Sequence, residues 1–518
     1  MNRAFVITLI LILFAGSIAT AATLTDSTGV LRVFGDRSSW MSTCFVVGDG
    51  SWVITTRDAV TEKIGPDTDH TIRYPVFISS YTGEAHQCEL VAQDKELNLA
   101  LLKLPIKGLP AAPLAQGGEF SKAAYGTMGQ LMSGDPIGNK WATDIHGITR
   151  QKSGDNYKLV VEEWDADKVF VTEIGKYHWV FLIDVNPATS IPNGSMVVHN
   201  SVIVGMYLNR LVIMDGNNKQ IFGRCAISTA IARWLSEHGV DTTSLYTPPA
   251  ATVARGDDSE QVFQLQAKAY SLIGAGRADL ALDSANSLSK LRPNDAHVKM
   301  ILGVALMGAG KLDDALKAYD EAAKLDSKLP ALRTNRALAL IALKKRDEAE
   351  KELLAAAEEA KGDVRPVSAL ADFYTADDKT LDKALTYARK VTSMAPESPA
   401  ALLLLARVEK RQKDYQQSID TIGQALKMAN DWGEAWYALG ATYEQAGDKT
   451  NAEKAYRKLA EKQPKNPGSL LTLASFLMDQ GKTDDAAEII SKIRALNPPQ
   501  PILDAVKALE EKTAKNKN

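Results

Sequence analysis

The sequence predicts a multidomain chain, a strand-built first half joined to an all-α second half, and three observations carry that expectation. Short apolar runs broken by glycine-containing turns recur up to about residue 240. A polar, Pro-containing stretch follows, Thr247-Pro248-Pro249-Ala250-Ala251 with Gly256-Asp257-Asp258, and reads as a linker. Beyond it the sequence repeats with a period of about 34 residues. At 518 residues the chain is too long for one core, so two or three domains are expected.

In chain order, Arg3 precedes an apolar run from Ala4 to Ala15, and Ala19-Thr20-Ala21 supplies a small-residue cleavage pattern. Residues 1–21 therefore read as a secretory signal peptide, which predicts an exported protein, periplasmic or extracellular. The apolar run falls short of the ~20 residues of a membrane helix, so no membrane span is expected after cleavage. The apolar fraction of 45%, the charged fraction of 24% and a net charge of −3 are those of ordinary globular protein. Neither the charge nor any basic and aromatic interleaving points to nucleic acid as a partner. The three cysteines, Cys44, Cys88 and Cys225, lie in the first half, and no Cys/His spacing fits a metal. No metal or cofactor is expected, while an exported setting permits a disulfide.

Three segments of the first half carry chemistry. Cys44 to Val60 is an apolar strand, a Gly-containing turn and a second apolar strand ending in Thr55-Thr56-Arg57-Asp58. Glu96-Leu97-Asn98-Leu99-Ala100-Leu101-Leu102-Lys103 is a strand start, and Pro192-Asn193-Gly194-Ser195-Met196-Val197-Val198 is a turn before a hairpin reaching Gly205. A fourth segment, Cys225-Ala226-Ile227-Ser228, leads into an apolar helix. In this order, over roughly residues 28 to 240, they resemble the bacterial Deg-type, chymotrypsin-like serine proteases. The resemblance implies an all-β double barrel over residues 22–240. It also implies that Asp58 stands where the catalytic histidine belongs, Asn98 where the orienting aspartate belongs and Asn193 at the nucleophile. It would set Cys44 and Cys88 on strands of one barrel, a possible disulfide.

Acyl transfer on such a scaffold needs a hydroxyl nucleophile, an imidazole base and a carboxylate to hold the imidazole. An aspartate titrates too low to be that base, and an asparagine side chain has no nucleophile. Losing nucleophile or base alone costs on the order of 10⁶ in turnover in a comparable protease. A domain without catalysis is therefore expected. Ser195 is the fallback nucleophile, but it lies only ten residues before Gly205, a poor spacing for the family hairpin, and no histidine stands at the base position. His146, His178 and His199 are the nearest in sequence, and each also reads as an ordinary strand or loop residue.

After a linker over residues 241–260, seven repeats are expected over residues 261–500. The clearest unit, Trp436, Leu439, Gly440, Tyr443, Gly447, Ala452, Tyr456 and Pro464, resembles the tetratricopeptide consensus position for position. Other units are marked by Ala269 and Ala281, Gly303 and Ala315, Ala337 and Ala349, Ala371 and Ala384, Ala406 and Ser418, and Ala474 and Ala486. Small residues at Gly440 and Ala452 let two antiparallel helices approach, Leu439 and Tyr443 fill the space between neighbours, and Gly447 closes the turn. Each pair is stable only against the next, and seven exceed the three or so that an array needs. Residues 501–518 are read as a capping helix and tail, apolar on one face at Leu503, Val506 and Leu509.

The resemblance implies a solenoid whose inner face is lined by the first helix of each unit. Candidate groove residues are Tyr270, Met300, Val304, Met307, Leu338 and Ile341, then the basic Arg407, Lys410 and Arg411, then Tyr437, Glu444 and Gln445. They suit a peptide or amphipathic helix with an acidic flank; the alternative is that the apolar ones are packing and the charges a solvated face. Protein or peptide partners bound through the repeats are expected, which makes the chain an exported adaptor or scaffold. Two alternatives stay open: an atypical serine endopeptidase using Ser195 on substrates recruited by the repeats, and a pseudoprotease that regulates an active protease.

Overall fold

In the computed structural model the residues described are 24–63, 69–115, 145–164, 169–172, 180–184, 192–199, 202–215, 218–242 and 250–516. The expected signal peptide, His178 and the Thr247–Pro249 part of the linker lie outside them. Contacts divide the chain into two compact units. One is Thr71–Leu329 with the chain up to Thr61, and the other is Pro330–Asn518 with Glu62–His70. Among the described residues no helix is long and apolar enough to cross a membrane.

The β-rich part of the first unit starts with β1 (Thr28–Phe34), β2 (Ser39–Val47) and β3 (Trp52–Thr56). A short ribbon of β4 (Thr61–Lys63) and β5 (Asp69–Thr71) follows. With β6 (Val76–Ser79), β7 (Ala85–Gln87), β8 (Glu89–Asp94) and β9 (Leu99–Lys103), the first three form a seven-stranded sheet in the order β7-β6-β1-β2-β3-β9-β8. The apolar run at Cys44–Val60 is β2 and β3, registered Phe45 to Ile54 and Val47 to Trp52. The pleat sends alternate residues to opposite faces. Leu31, Cys44, Val46, Val53 and Leu102 fill one core, and Phe45, Val47, Ile54, Leu99 and Leu101 another. The sheet bends back on itself: Cys88 N–H donates to Pro75 O (2.9 Å) and Leu90 N–H to Arg73 O (2.8 Å), tying its two ends.

A second sheet comprises β10 (Ile145–Ser153), β11 (Asn156–Trp164), β12 (Val169–Thr172), β13 (Val180–Asp184), β14 (Met196–His199), β15 (Val202–Asp215) and β16 (Asn218–Ile227). Its order is β11-β10-β14-β15-β16-β13-β12. Helix α1 (Ser228–Glu237) follows directly and buries Ile231, Trp234 and Leu235. Met196, Ile203, Tyr207 and Cys225 join them against Phe45, Val47 and Leu99, so one core holds the sheets together. The segment between the sheets bridges them, with Ala112 N–H on Val46 O and Ala115 N–H on Ile203 O, both at 2.8 Å.

The expected Cys44–Cys88 disulfide is corrected: both are free thiols, although they share one core. The Cys88 thiol donates to Pro75 O at 3.2 Å. Burial pushes the Cys88 thiol up to about 12, and burial with the neighbouring Cys88 lifts Cys44 well above its usual value. Neither is set up as the thiolate that disulfide formation requires.

The described part of the expected linker is fastened down. Thr252 N–H donates to Gly108 O at 2.9 Å, and Arg255 pairs with Asp26 at 2.8 Å. Helix α2 (Ser259–Gly274) then lays Val262, Phe263 and Ala267 on Val30, Val76, Ile78 and Ala85, covering the outer face of β1, β6 and β7. The Gln264 amide satisfies the edge strand β11, accepting from Tyr157 N–H at 2.7 Å and donating to Tyr157 O. At the far end of α2, a Cβ on Gly274 would fall 1.5 Å from Arg32 Nη2, so a larger residue would displace that guanidinium, and Ser39 Oγ donates to Gly274 O at 2.6 Å. This docking is why α2, α3 (Leu282–Leu291), α4 (Ala296–Gly308) and α5 (Leu312–Leu325) belong to the same unit as the sheets.

The second unit continues as helix pairs: α6 (Leu332–Ala342) with α7 (Arg346–Glu359), α8 (Val364–Thr375) with α9 (Leu381–Met394), and α10 (Pro399–Arg411) with α11 (Tyr415–Met428). Then come α12 (Gly433–Gln445) with α13 (Lys449–Lys462), α14 (Pro467–Asp479) with α15 (Thr483–Ala495), and a final α16 (Gln500–Asn516). An extra turn, Asp378–Thr380, sits where the fourth period is longer. Gly440 packs where a Cβ would lie 2.5 Å from the Tyr456 ring, and Ala452 is fully buried. Val506 of α16 is fully buried against the last pair, as a cap requires.

Candidate functional site

Asp58 lies on a single 3₁₀ turn, Arg57–Val60, that ends β3, and Asn98 immediately precedes β9. Because β3 and β9 are paired, Thr56 opposite Leu99, the two positions forty residues apart in sequence meet. Asn98 takes a left-handed backbone, φ 55°, which asparagine tolerates better than most residues. Its Oδ1 accepts from Asp58 N–H at 3.1 Å, its Nδ2 donates to Asp58 Oδ2 at 3.0 Å, and its carbonyl accepts from Arg57 N–H at 2.9 Å. Arg224 of β16 approaches from the second sheet, donating to Glu96 O at 3.0 Å. Burial lowers its guanidinium from the usual value, and the nearby Asp58 charge works against that.

The Asn193 loop is anchored separately. Gly194 N–H donates to Tyr207 O and Tyr207 N–H to Ser195 O, both at 2.9 Å. Gly194 has φ +87°, and a Cβ there would sit 2.2 Å from Thr43 O and 3.0 Å from Thr55 Oγ1, so the loop rests on β2 and β3 three residues before Asp58. Asn193 O accepts from Ser42 Oγ at 3.4 Å. Among the described residues no hydrogen bond joins Asn193 to Asp58 or Asn98. Ser195 is fully buried, and its hydroxyl donates to Pro192 O at 2.6 Å. His146 and His199 lie on β10 and β14, with backbones opposite Val198 and Val202, and their side chains are outside the described residues. Chemically, the Asp58–Asn98 pair is a closed acceptor–donor clasp that contains neither an imidazole nor a nucleophile.

The clasp yields a test. Asn98→Asp sets two carboxylates about 3 Å apart and removes the donor, so it is expected to cost about 1–3 kcal/mol at pH 7. The loss should shrink as pH falls and one carboxyl is protonated. Urea unfolding at pH 7 and pH 4 measures it; equal losses at the two pH values would discount the charge argument.

Of the groove candidates, Leu338 and Tyr437 are exposed, at 40% and 49%. Tyr437 borders a shallow depression of about 230 Å³ with Glu434, Gln463, Asn466, Ser469 and Thr472. Val304, Met307 and Ile341 are half-buried, and the Met307 sulfur accepts from Tyr319 OH at 3.4 Å. Two candidates are corrected to packing: Met300 is buried, and Tyr270 is buried with its ring 6.4 Å from that of Phe34. The basic patch carries acidic partners of its own. Arg407 pairs with Asp372 and Arg411 with Asp378, at 2.5 and 2.7 Å, on exposed side chains. Lys410 is half-buried, and Gln445 and Glu444 are exposed, with Glu444 accepting from Tyr456 OH at 2.9 Å. Sequence reading missed Arg224: the fourth segment marks its strand from Cys225 onward, but the arginine before it belongs to no motif.

Tetratricopeptide repeat family models match residues 267–330, 381–435, 408–467 and 443–509. No curated protein matches the chain. A solved tetratricopeptide repeat protein from Parabacteroides merdae is similar at 18% identity over 48% of this chain and 98% of its own, with a TM-score of 0.38. A chain of the APC/C hetero-tetramer Cut9-Hcn1 is similar at 16% identity over 49% of both chains, TM-score 0.36. PilW, a type IV pilus biogenesis factor, is similar at 18% identity over 41% of this chain and 97% of its own, TM-score 0.35. The family-model matches fall on the in-phase helix pairs, and the helical half of the chain is accordingly built of tetratricopeptide repeats.

Proposed function

We propose that this protein is an exported adaptor in which an inactive serine-protease-like domain, residues 22–240, is coupled to a repeat array, residues 261–500, that binds a protein or peptide. The observation that carries the first part is the reciprocal Asp58–Asn98 clasp, which fills the base and orienting positions with a pair held by its own hydrogen bonds. The burial of Ser195, with its hydroxyl committed to Pro192 O, argues against that residue as a substitute nucleophile. The second part rests on the repeats, since such arrays present extended surfaces assembled from successive helix pairs.

Fluorophosphonate labelling and casein cleavage by the purified protein are both expected to be absent. Labelling that disappears in a Ser195→Ala variant would overturn the inactive reading. The binding role is tested with a chain ending at Leu329, which keeps the first compact unit whole and removes Pro330–Asn518. A partner bound by the full chain should be lost from the shortened one; full retention would move the binding surface off the later repeats.

A further inference from the structure

The junction between the first sheet and the first helices collects titratable groups that the reading above leaves unused. His86 stands on β7 with its side chain 14% exposed; its Nε2 makes no hydrogen bond and lies 3.9 Å from Glu84 Oε2. His297 opens α4, and its Nε2 is hydrogen-bonded to the Tyr270 hydroxyl of α2, the two rings 5.9 Å apart. Asp295 caps α4 by accepting from His297 N–H at 2.8 Å and Val298 N–H at 3.1 Å. Arg292, following α3, forks onto Asp258 at the head of α2, Nη2 to Oδ1 at 2.6 Å. The facing groups are thus Glu84 and His86 from the sheet, Asp258 before α2, Tyr270 on α2, Arg292 after α3, and Asp295 and His297 on α4. The same elements share the apolar core in which Val262 and Phe263 meet Val30, Ile78 and Ala85.

We propose that this junction is a pH-sensitive latch, in which protonation of His86 and His297 releases α2 from the outer face of β1, β6 and β7. His86 Nε2 finds no hydrogen-bond partner and has the Glu84 carboxylate at 3.9 Å, and His297 Nε2 is committed to the Tyr270 hydroxyl, so protonation places two charges in a seam where neither Nε2 is hydrogen-bonded to a carboxylate. Burial holds both down to about 4 from an ordinary 6.5; for His86 the neighbouring His297 adds to the effect and Asp295 works against it. When docked the imidazoles stay neutral, whereas released they take protons below about 6.5. Docking therefore weakens as pH falls from 6.5, and the loss levels off near 4. Each imidazole weakens docking on the order of 100-fold over that window. Glu84 acts in the opposite sense, because burial and then Asp295 raise its carboxyl and proton uptake there favours the docked form. In the proposed latch the two imidazoles outweigh this one carboxyl.

Hydrogen exchange on the full chain, corrected for the intrinsic pH dependence, reads the latch directly. Between pH 6 and pH 4 the amides of α2 should lose protection while those of Leu99–Leu102 in β9 keep it. A His86→Leu/His297→Gln variant should hold α2 at least tenfold more protected than the wild type at pH 4.5. Simultaneous loss in α2 and β9, or the same pH dependence with and without the histidines, would overturn the latch. Should the double variant fail to fold, imidazole NMR of the wild type decides. Both rings should remain neutral at pH 6 and titrate together with α2 release; titration near 6.5 with α2 still protected would sink the proposal.

Discussion

Trp234→Ala is expected to remove about 3–5 kcal/mol from the first compact unit, seen as a lower urea midpoint with little change in slope. The indole is 1% exposed and is among the largest fully buried side chains. It shares a core with Ile231 and Leu235 of its own helix, Phe45 and Val47 of the first sheet, and Tyr207 and Cys225 of the second. It also meets the His238 ring, centroids 4.7 Å apart, whose Nδ1 lies 2.7 Å from Trp234 O. Truncation leaves a cavity where three elements converge, and a helix ten residues long has no easy way to collapse into it. A loss below about 1 kcal/mol would mean that α1 does not hold the two sheets together.

Gly194→Val should cost about 2–4 kcal/mol, from two terms that a paired control separates. A β-branched residue is strained at φ +87°, and its Cβ would lie 2.2 Å from the Thr43 carbonyl, a backbone atom inside a paired strand that cannot swing aside. Gly154, in the turn between β10 and β11, has φ +61° and nothing within 4 Å of the same added carbon. Gly154→Val therefore carries the backbone strain alone, and the difference between the two variants measures how tightly the Asn193 loop is seated on β2. Equal thermal shifts for both would mean that the loop is not seated there.

Much of the architecture was legible from sequence because it is local. The period of about 34 residues reports a helix pair that repeats its own packing, so Gly440, Ala452 and Gly447 could be assigned their roles before any coordinate was known. The pairing of β2 with β3 follows from an apolar run with a glycine turn in its middle. The meeting of Asp58 with Asn98 is of another kind: it depends on β3 pairing with β9 across more than forty residues, and it was anticipated only through a resemblance. Arg224 could not be anticipated at all, because a single arginine on a strand carries no pattern. Groove positions were the weakest part. Helical periodicity tells which residues share a face, but whether Tyr270 meets solvent or Phe34 depends on what covers that face.

Sequence by itself determined the strand-built and helical halves of this chain and the helix-pair repeat, because each is written in residue type and local spacing. Tertiary structure decided that Asp58 and Asn98 clasp each other, that Cys44 and Cys88 stay thiols, that Arg407 and Arg411 pair with Asp372 and Asp378, and that the first helices close over the sheet. Those outcomes rest on distances between residues far apart in the chain, and burial, hydrogen bonding and charge pairing are set by such distances rather than by sequence neighbours.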